Sequence, residues 1–156
     1  MSFKSNIDEL AFEFFREFSR CEYCLKVVGL RKSNRSGPKA DWSAFATEVR
    51  DVFETPGSTE LKAAVQYYVE HPPKKQIERD GLLDWADVPP DHQHQAELVL
   101  LLVCRVRNNL FHGGKFNDHW FEPQRSEELL RHALVILEAC ISNHKMVHEA
   151  YEQKAI

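Results

Sequence analysis

A cluster of polar side chains follows the most apolar stretch of the chain. Leu98 to Cys104 is a run of seven apolar residues, and Arg107, Asn108 and His112 come within the next eight positions. The arginine has a fixed positive charge, and the histidine exchanges protons near neutral pH. A cation beside a proton-transferring group is suited to cleaving a phosphodiester, in which negative charge builds on the phosphoryl oxygens.

Helix geometry limits how these side chains can meet. On one helix, Arg107 and His112 point roughly 140° apart, so both cannot be aimed at one atom unless the helix unwinds or a second copy contributes. Gly113 and Gly114 follow at once and favour unwinding. A two-fold interface formed by this helix would bring two arginines and two histidines into one cleft.

An arginine separated by four residues from a histidine, at the end of a late apolar helix, resembles the R-x4-6-H signature of HEPN domains. The resemblance is strongest over residues 94–116. Many members of that family are metal-independent ribonucleases that act as homodimers. The resemblance therefore implies an all-α, HEPN-like, up-and-down bundle, a composite site at a dimer interface, and RNA as the substrate.

The resemblance, together with the spacing of Asn108 and Lys115 from His112, indicates roles for single residues. His112 would be the general base or acid, an effect worth about 10²–10⁴-fold in rate. Arg107 would stabilise the phosphoryl charge, and Asn108, four residues before His112, would bind the imidazole. Lys115 would contact an adjacent phosphate, and Glu22 resembles an acidic position on the first helix of some members. The products would be a 2′,3′-cyclic phosphate and a 5′-hydroxyl, with no cofactor or metal.

Three functional hypotheses follow. The first is a toxin or phage-defence endoribonuclease, restrained by a partner such as an antitoxin protein. The second is a non-catalytic module in which the same helices serve dimerisation or the binding of a ligand or partner. The third, a metal-dependent helical-bundle enzyme, is disfavoured because the chain lacks paired Glu-x-x-His motifs. In the simplest structural interpretation, Arg107 and His112 only cap a helix end.

Composition places the chain among ordinary globular proteins. Its 156 residues, 43% hydrophobic and 28% charged, predict one domain over residues 1–156. No stretch approaches the roughly 20 apolar residues that cross a bilayer, so we expect no membrane association. The first residues do not resemble a signal peptide, and we expect a cytoplasmic protein.

Metal-ligating residue types occur, but without a full ligand set. Cys21 and Cys24 form a C-x-x-C pair within a helical pattern, and no second pair with zinc spacing exists. We expect the four cysteines to be free thiols. His144 and His148 have the spacing of two metal ligands on a helix, but no third ligand lies close in sequence.

The formal net charge of −4 gives the molecule no general attraction for nucleic acid. Two local segments are basic. Arg31 to Lys39 contains four cations and no acid, and Lys74 and Lys75 follow two prolines. Either segment contacts phosphates or is simply solvated.

Apolar residues recur at helical spacing in five segments, and no segment alternates as a half-buried strand does. We therefore expect an all-α bundle of about five helices, with residues 72–93 as a long connection containing at most a short turn or hairpin and pinned by Trp85. The expected helices run from Ile7 to about Val28, from Trp42 to about Glu54, from Ser58 or Leu61 to before Pro72, from His92 or Gln93 to His112, and from Ser126 onward.

Overall fold

A computed structural model describes residues 6–111, 115–116, 119–120 and 123–153. The described part contains seven α-helices. They are α1 (Asn6–Val27), α2 (Trp42–Glu48), α3 (Arg50–Glu54), α4 (Thr59–Glu70), α5 (Gln95–Phe111), α6 (Pro123–Ser142) and α7 (Lys145–Tyr151).

Strands accompany these helices as three separate antiparallel pairs. They are β1 (Arg31–Asn34) with β2 (Gly37–Ala40), β3 (Lys75–Arg79) with β4 (Leu82–Ala86), and β5 (Lys115–Phe116) with β6 (His119–Trp120). The expected HEPN-like all-α bundle of about five helices is therefore wrong. The described chain is mixed α and β, although most of its residues are helical.

The β1–β2 hairpin was not predicted, whereas the β3–β4 hairpin lies in the connection where a short turn or hairpin was expected, and neither of these two hairpins has a buried residue. All four residues of β1 are exposed, so solvent surrounds the strand and no alternation of apolar and polar residues arises. In the second hairpin, Asp80 and Gly81 both have positive φ, 53° and 78°, as expected for the two-residue turn that connects twisted antiparallel strands.

The helix count differs because two breaks lack glycine and proline. The single helix expected from Trp42 to Glu54 is divided at Val49, which has φ −107° and ψ 20°. The last helical region is divided at His144, whose Nδ1 accepts the N–H of Val147 and so caps α7. Valine and histidine are not usual cap residues, so neither break was marked in the sequence.

Other helices agree with the periodic pattern. Helix α1 covers the expected segment within a residue at each end. Helix α4 begins after Ser58, whose side chain accepts the N–H of Leu61 at 3.0 Å. It ends before the Pro72-Pro73 pair, as predicted.

The core lies between α1, α2, α4, α5 and α6. Helix α5 contributes Val99, Leu100 and Val103, all with no exposed surface. It packs against α2, α3, α4 and α6, so it is buried along most of its length. Tyr68 of α4 is also fully buried, and its hydroxyl donates to the carbonyl of Leu129 at 2.6 Å. Among the described helices, none is long and apolar enough for a bilayer.

Candidate functional site

The end of α5 emerges from the core and presents the polar cluster. Val106 is its last buried residue, with 6% of its surface exposed. Arg107 is half-buried, Asn108 is exposed, and Phe111 is 60% exposed. The transition from core to surface therefore falls at Arg107.

Aromatic rings support the Arg107 guanidinium. Its central carbon lies 5.1 Å from the ring centroid of Phe111 and 5.8 Å from that of Phe18. Phe18 is buried and stacks on Trp42, with 4.8 Å between centroids and 19° between planes. These contacts are within the range of cation–π attraction, so the charge is held on a packed surface.

Arg107 has few polar partners. Its Nη1 donates to Oδ1 of Asn108 at 3.0 Å, and it forms no ion pair with any carboxylate in the described part of the chain. A guanidinium has five N–H donors. Most of them therefore point to no described protein acceptor and can bind an anion such as a phosphate.

Glu22 of α1 belongs to the same neighbourhood. Its Oε2 accepts a hydrogen bond from the Trp42 indole at 3.5 Å. It makes no ion pair with Arg107. Burial raises the pKa of the Cys104 thiol, Glu22 raises it further, and Arg107 lowers it. Both charged groups therefore act on the same thiol.

Part of the predicted site falls beyond the described residues. His112 is not described, and neither is the side chain of Lys115, although its backbone pairs with Trp120 in the short β5–β6 ladder. The expected bond between Asn108 and His112 is likewise outside the described residues. The structure thus bonds Asn108 to Arg107, while Glu22 is connected to them only through Trp42 and Phe18.

Two neighbours in the same cluster have a structural role that the sequence did not indicate. Arg105 donates through Nη1 to the carbonyl oxygens of Val88 at 2.7 Å and Pro73 at 3.3 Å, and burial lowers its pKa. Asn109 donates through Nδ2 to the Lys74 carbonyl at 2.9 Å. These bonds attach the segment around the β3–β4 hairpin to α5. The only available signal was that this irregular segment must satisfy its backbone carbonyls somewhere.

The four cysteines are free thiols, and His144 and His148 each contact a glutamate. All four cysteines are free, and burial is the main cause that raises the pKa of Cys21, with Cys140 next. His144 contacts Glu48 at 2.9 Å, and His148 contacts Glu152 at 2.9 Å. No group of three potential metal ligands occurs among the residues described.

Two cavities lie elsewhere and are unsuited to RNA. One, of about 600 Å³, lies between α3, α4 and α6 and includes Glu48, Asp51, Glu60 and Glu138 in its wall. The other, of about 350 Å³, lies between α1, α6 and α7, with Glu13, Glu17, Glu138 and Glu152 in its wall. Carboxylates of this density repel a polyanion. The end of α5 remains the candidate for RNA chemistry.

Comparison with protein families, with curated proteins and with solved structures finds no match to this chain. Any assignment of function therefore depends on the local motif and on the geometry around Arg107.

Proposed function

We propose that this protein is a metal-independent endoribonuclease of the HEPN toxin or phage-defence type. The observation that carries the proposal is the state of Arg107. It is half-buried at the end of a core helix, supported by two rings, and free of any carboxylate among the described residues. A guanidinium in this setting is oriented before a ligand arrives, which is the condition for electrostatic stabilisation of a transition state.

The proposed reaction is internal transesterification of RNA. The ribose 2′-oxygen attacks the adjacent phosphorus, and its proton passes to a general base. The bond from phosphorus to the 5′-oxygen breaks, and an acid protonates that oxygen. His112 supplies the base or acid function, and Arg107 binds the phosphoryl oxygens as their charge increases. A cyclic 2′,3′-phosphate and a 5′-hydroxyl result.

A second copy of the chain would complete the site. Exposed aromatic side chains lie on α1 and at the end of α5: Phe12 is 71% exposed, Phe15 41% and Phe111 60%, and of these Phe111 contacts Arg107. The Phe15 and Phe111 rings lie 5.6 Å apart, so they form one surface across the two helices. Since a regular helix would point side chains at positions 107 and 112 roughly 140° apart, pairing this surface about a two-fold axis would supply the missing partner. An antitoxin protein is the further partner we propose.

The same aromatic surface favours a second candidate function. Solvent-exposed aromatic side chains beside an arginine are typical of the residues that dominate binding at protein interfaces. A non-catalytic HEPN-like dimerisation or partner-binding module would use this surface without cleaving RNA. This alternative predicts a dimer with no nuclease activity and no growth defect on expression.

Cleavage of single-stranded RNA in EDTA separates the two functions. We expect the purified protein to produce cyclic-phosphate ends, and Arg107→Ala and His112→Ala each to slow cleavage by at least about 100-fold while the helical circular dichroism stays unchanged. Arg50→Ala is the matched control, because Arg50 is an exposed arginine paired with Glu54 on α3. Cleavage that persists in both site variants would reject the assigned site.

A further inference from the structure

The β1–β2 hairpin concentrates positive charge. Between Arg31 and Lys39 it contains four cations and no acid. All four side chains, those of Arg31, Lys32, Arg35 and Lys39, are exposed. The hairpin contributes +4 to a chain whose net charge is −4, so the remaining residues together carry −8. Charge is therefore strongly segregated in this molecule.

The strand register places two of these cations side by side. Lys32 is directly opposite Lys39 in the antiparallel ladder. Directly opposed residues have Cβ atoms about 5 Å apart, and like charges there repel each other. Neither lysine forms an ion pair with any residue that the structure describes. An external anion would relieve this repulsion.

The tip of the hairpin is ordered by its own hydrogen bonds. The N–H of Ser36 donates to Oδ1 of Asn34 at 2.8 Å. Gly37 follows with φ +105°, a conformation that other residues rarely adopt. The chain therefore makes a defined turn around Arg35.

The base of the hairpin is fixed to α1. The N–H of Asp41 donates to the Leu30 carbonyl at 2.9 Å, and the N–H of Leu30 donates to the Leu25 carbonyl at 2.9 Å. Arg31 donates to the Lys26 carbonyl at 2.7 Å. Binding to a prearranged hairpin costs less ordering entropy than binding to a mobile loop.

The hairpin and the Arg107 site share one supporting surface. Trp42 comes directly after the residue that closes the hairpin, and it stacks on Phe18 at 4.8 Å between centroids. Arg107 lies 5.8 Å from the centroid of the same Phe18 ring. The first residue of the helix that follows the hairpin and the proposed catalytic arginine therefore both pack on Phe18.

We infer that the β1–β2 hairpin binds the phosphate backbone of RNA next to the Arg107 site, an inference that depends on the proposed function for its ligand. The opposed pair Lys32 and Lys39 contacts successive phosphates, and Arg35 extends the contact at the tip. Membrane surfaces also attract cations, but stable insertion needs apolar side chains. The hairpin sequence RKSNRSGPKA has only the small Pro38 and Ala40, which favours a hydrated polyanion.

The test is the salt dependence of binding to an RNA that cannot be cleaved. A fluorescein-labelled, fully 2′-O-methylated single-stranded RNA is titrated with the wild-type protein, Lys32→Ala/Lys39→Ala, and the control Lys62→Ala/Lys145→Ala. The control removes two exposed helical lysines. We expect the hairpin variant alone to bind more weakly, with the slope of log K against log [KCl] reduced by about 1.4, corresponding to two lost phosphate contacts on a single strand.

Each outcome decides the inference. Equal slopes for the two double variants, or no binding by the wild-type protein, would overturn it. The same holds if the hairpin variant loses binding to phosphatidylserine vesicles but retains RNA binding. A wild-type protein that binds RNA through the hairpin but cleaves none supports the hairpin assignment and rejects the nuclease. If the wild-type protein cleaves RNA and the hairpin substitutions do not change cleavage, the nuclease proposal is supported and the hairpin assignment is rejected.

Discussion

Arg105 and Arg107 are two residues apart on α5, and they lie on nearly opposite faces of the helix. Arg105 donates to the carbonyl oxygens of Pro73 and Val88, and burial lowers its pKa. Arg107 rests on the Phe18 and Phe111 rings and, among the described residues, donates only to its neighbour Asn108. The Arg105 guanidinium binds backbone carbonyl groups, whereas most N–H donors of Arg107 have no acceptor among the described residues.

This contrast shows how a residue type alone misleads. Both arginines follow the same apolar run, and either could be taken for a catalytic cation. Their hydrogen-bond partners separate them, because carbonyl oxygens from a distant segment satisfy Arg105. An arginine on an aromatic surface, with no ion pair to a described acid, has the properties of a binding or catalytic group.

The largest expected effect comes from Arg107. Replacing it with Ala removes the donors that stabilise the phosphoryl oxygens, and we expect kcat to fall by about 10²–10³-fold. Arg107→Lys keeps the charge but loses the planar fork and the ring contact, so it should recover only part of this loss. Single-turnover cleavage measures both. Full activity of the alanine variant would show that Arg107, like Arg105, takes no part in cleavage.

Arg105→Ala should reduce the stability of the protein and leave catalysis unchanged. Its loss leaves two carbonyl groups of the hairpin segment without their donor, so we expect a decrease of about 1.5–3 kcal/mol in the free energy of unfolding. The folded fraction should retain its kcat. Urea unfolding, with Arg50→Ala as the control, measures the change. A variant as stable as the wild-type protein but unable to cleave RNA would reverse the assignment of the two arginines.

Asn109 and Asn108 differ in the same way as Arg105 and Arg107, with smaller expected effects on stability. Asn109→Ala removes the donor to the Lys74 carbonyl, and we expect it to destabilise the protein by about 1 kcal/mol. Asn108 is exposed and bonded only to Arg107 among the described residues, so Asn108→Ala should change stability by less than about 0.5 kcal/mol. Chemical denaturation of the two variants side by side checks this order.

The sequence predicted those parts of the fold that depend on local periodicity. Helices α1 and α4 appear where the apolar spacing predicted them, and α5 was placed as the core helix that precedes the polar cluster. Hairpins exposed on both faces have no such periodicity. The Asp80-Gly81 pair is nevertheless a turn signal for a two-residue hairpin loop, and both residues have positive φ.

The site was predictable only in part. The location of Arg107 and Asn108 at the surface end of a buried helix followed from the sequence. The different roles of Arg105 and Arg107 could not be predicted from the sequence. Arg105 binds the carbonyl oxygens of Pro73 and Val88, which are 32 and 17 positions away in the chain. The bond between Glu22 and Trp42 also joins distant segments, and helical spacing carries no information about such pairs.

The central claim is that one copy supplies the arginine and another the histidine. The most direct measurement mixes Arg107→Ala with His112→Ala, two variants expected to be inactive alone, after exchange of subunits under mild denaturation. We predict that the mixture regains RNA cleavage in EDTA, because the mixed dimer again contains one intact arginine and one intact histidine across its interface. A mixture that remains inactive, although mass photometry or native mass spectrometry shows mixed dimers, would contradict the claim.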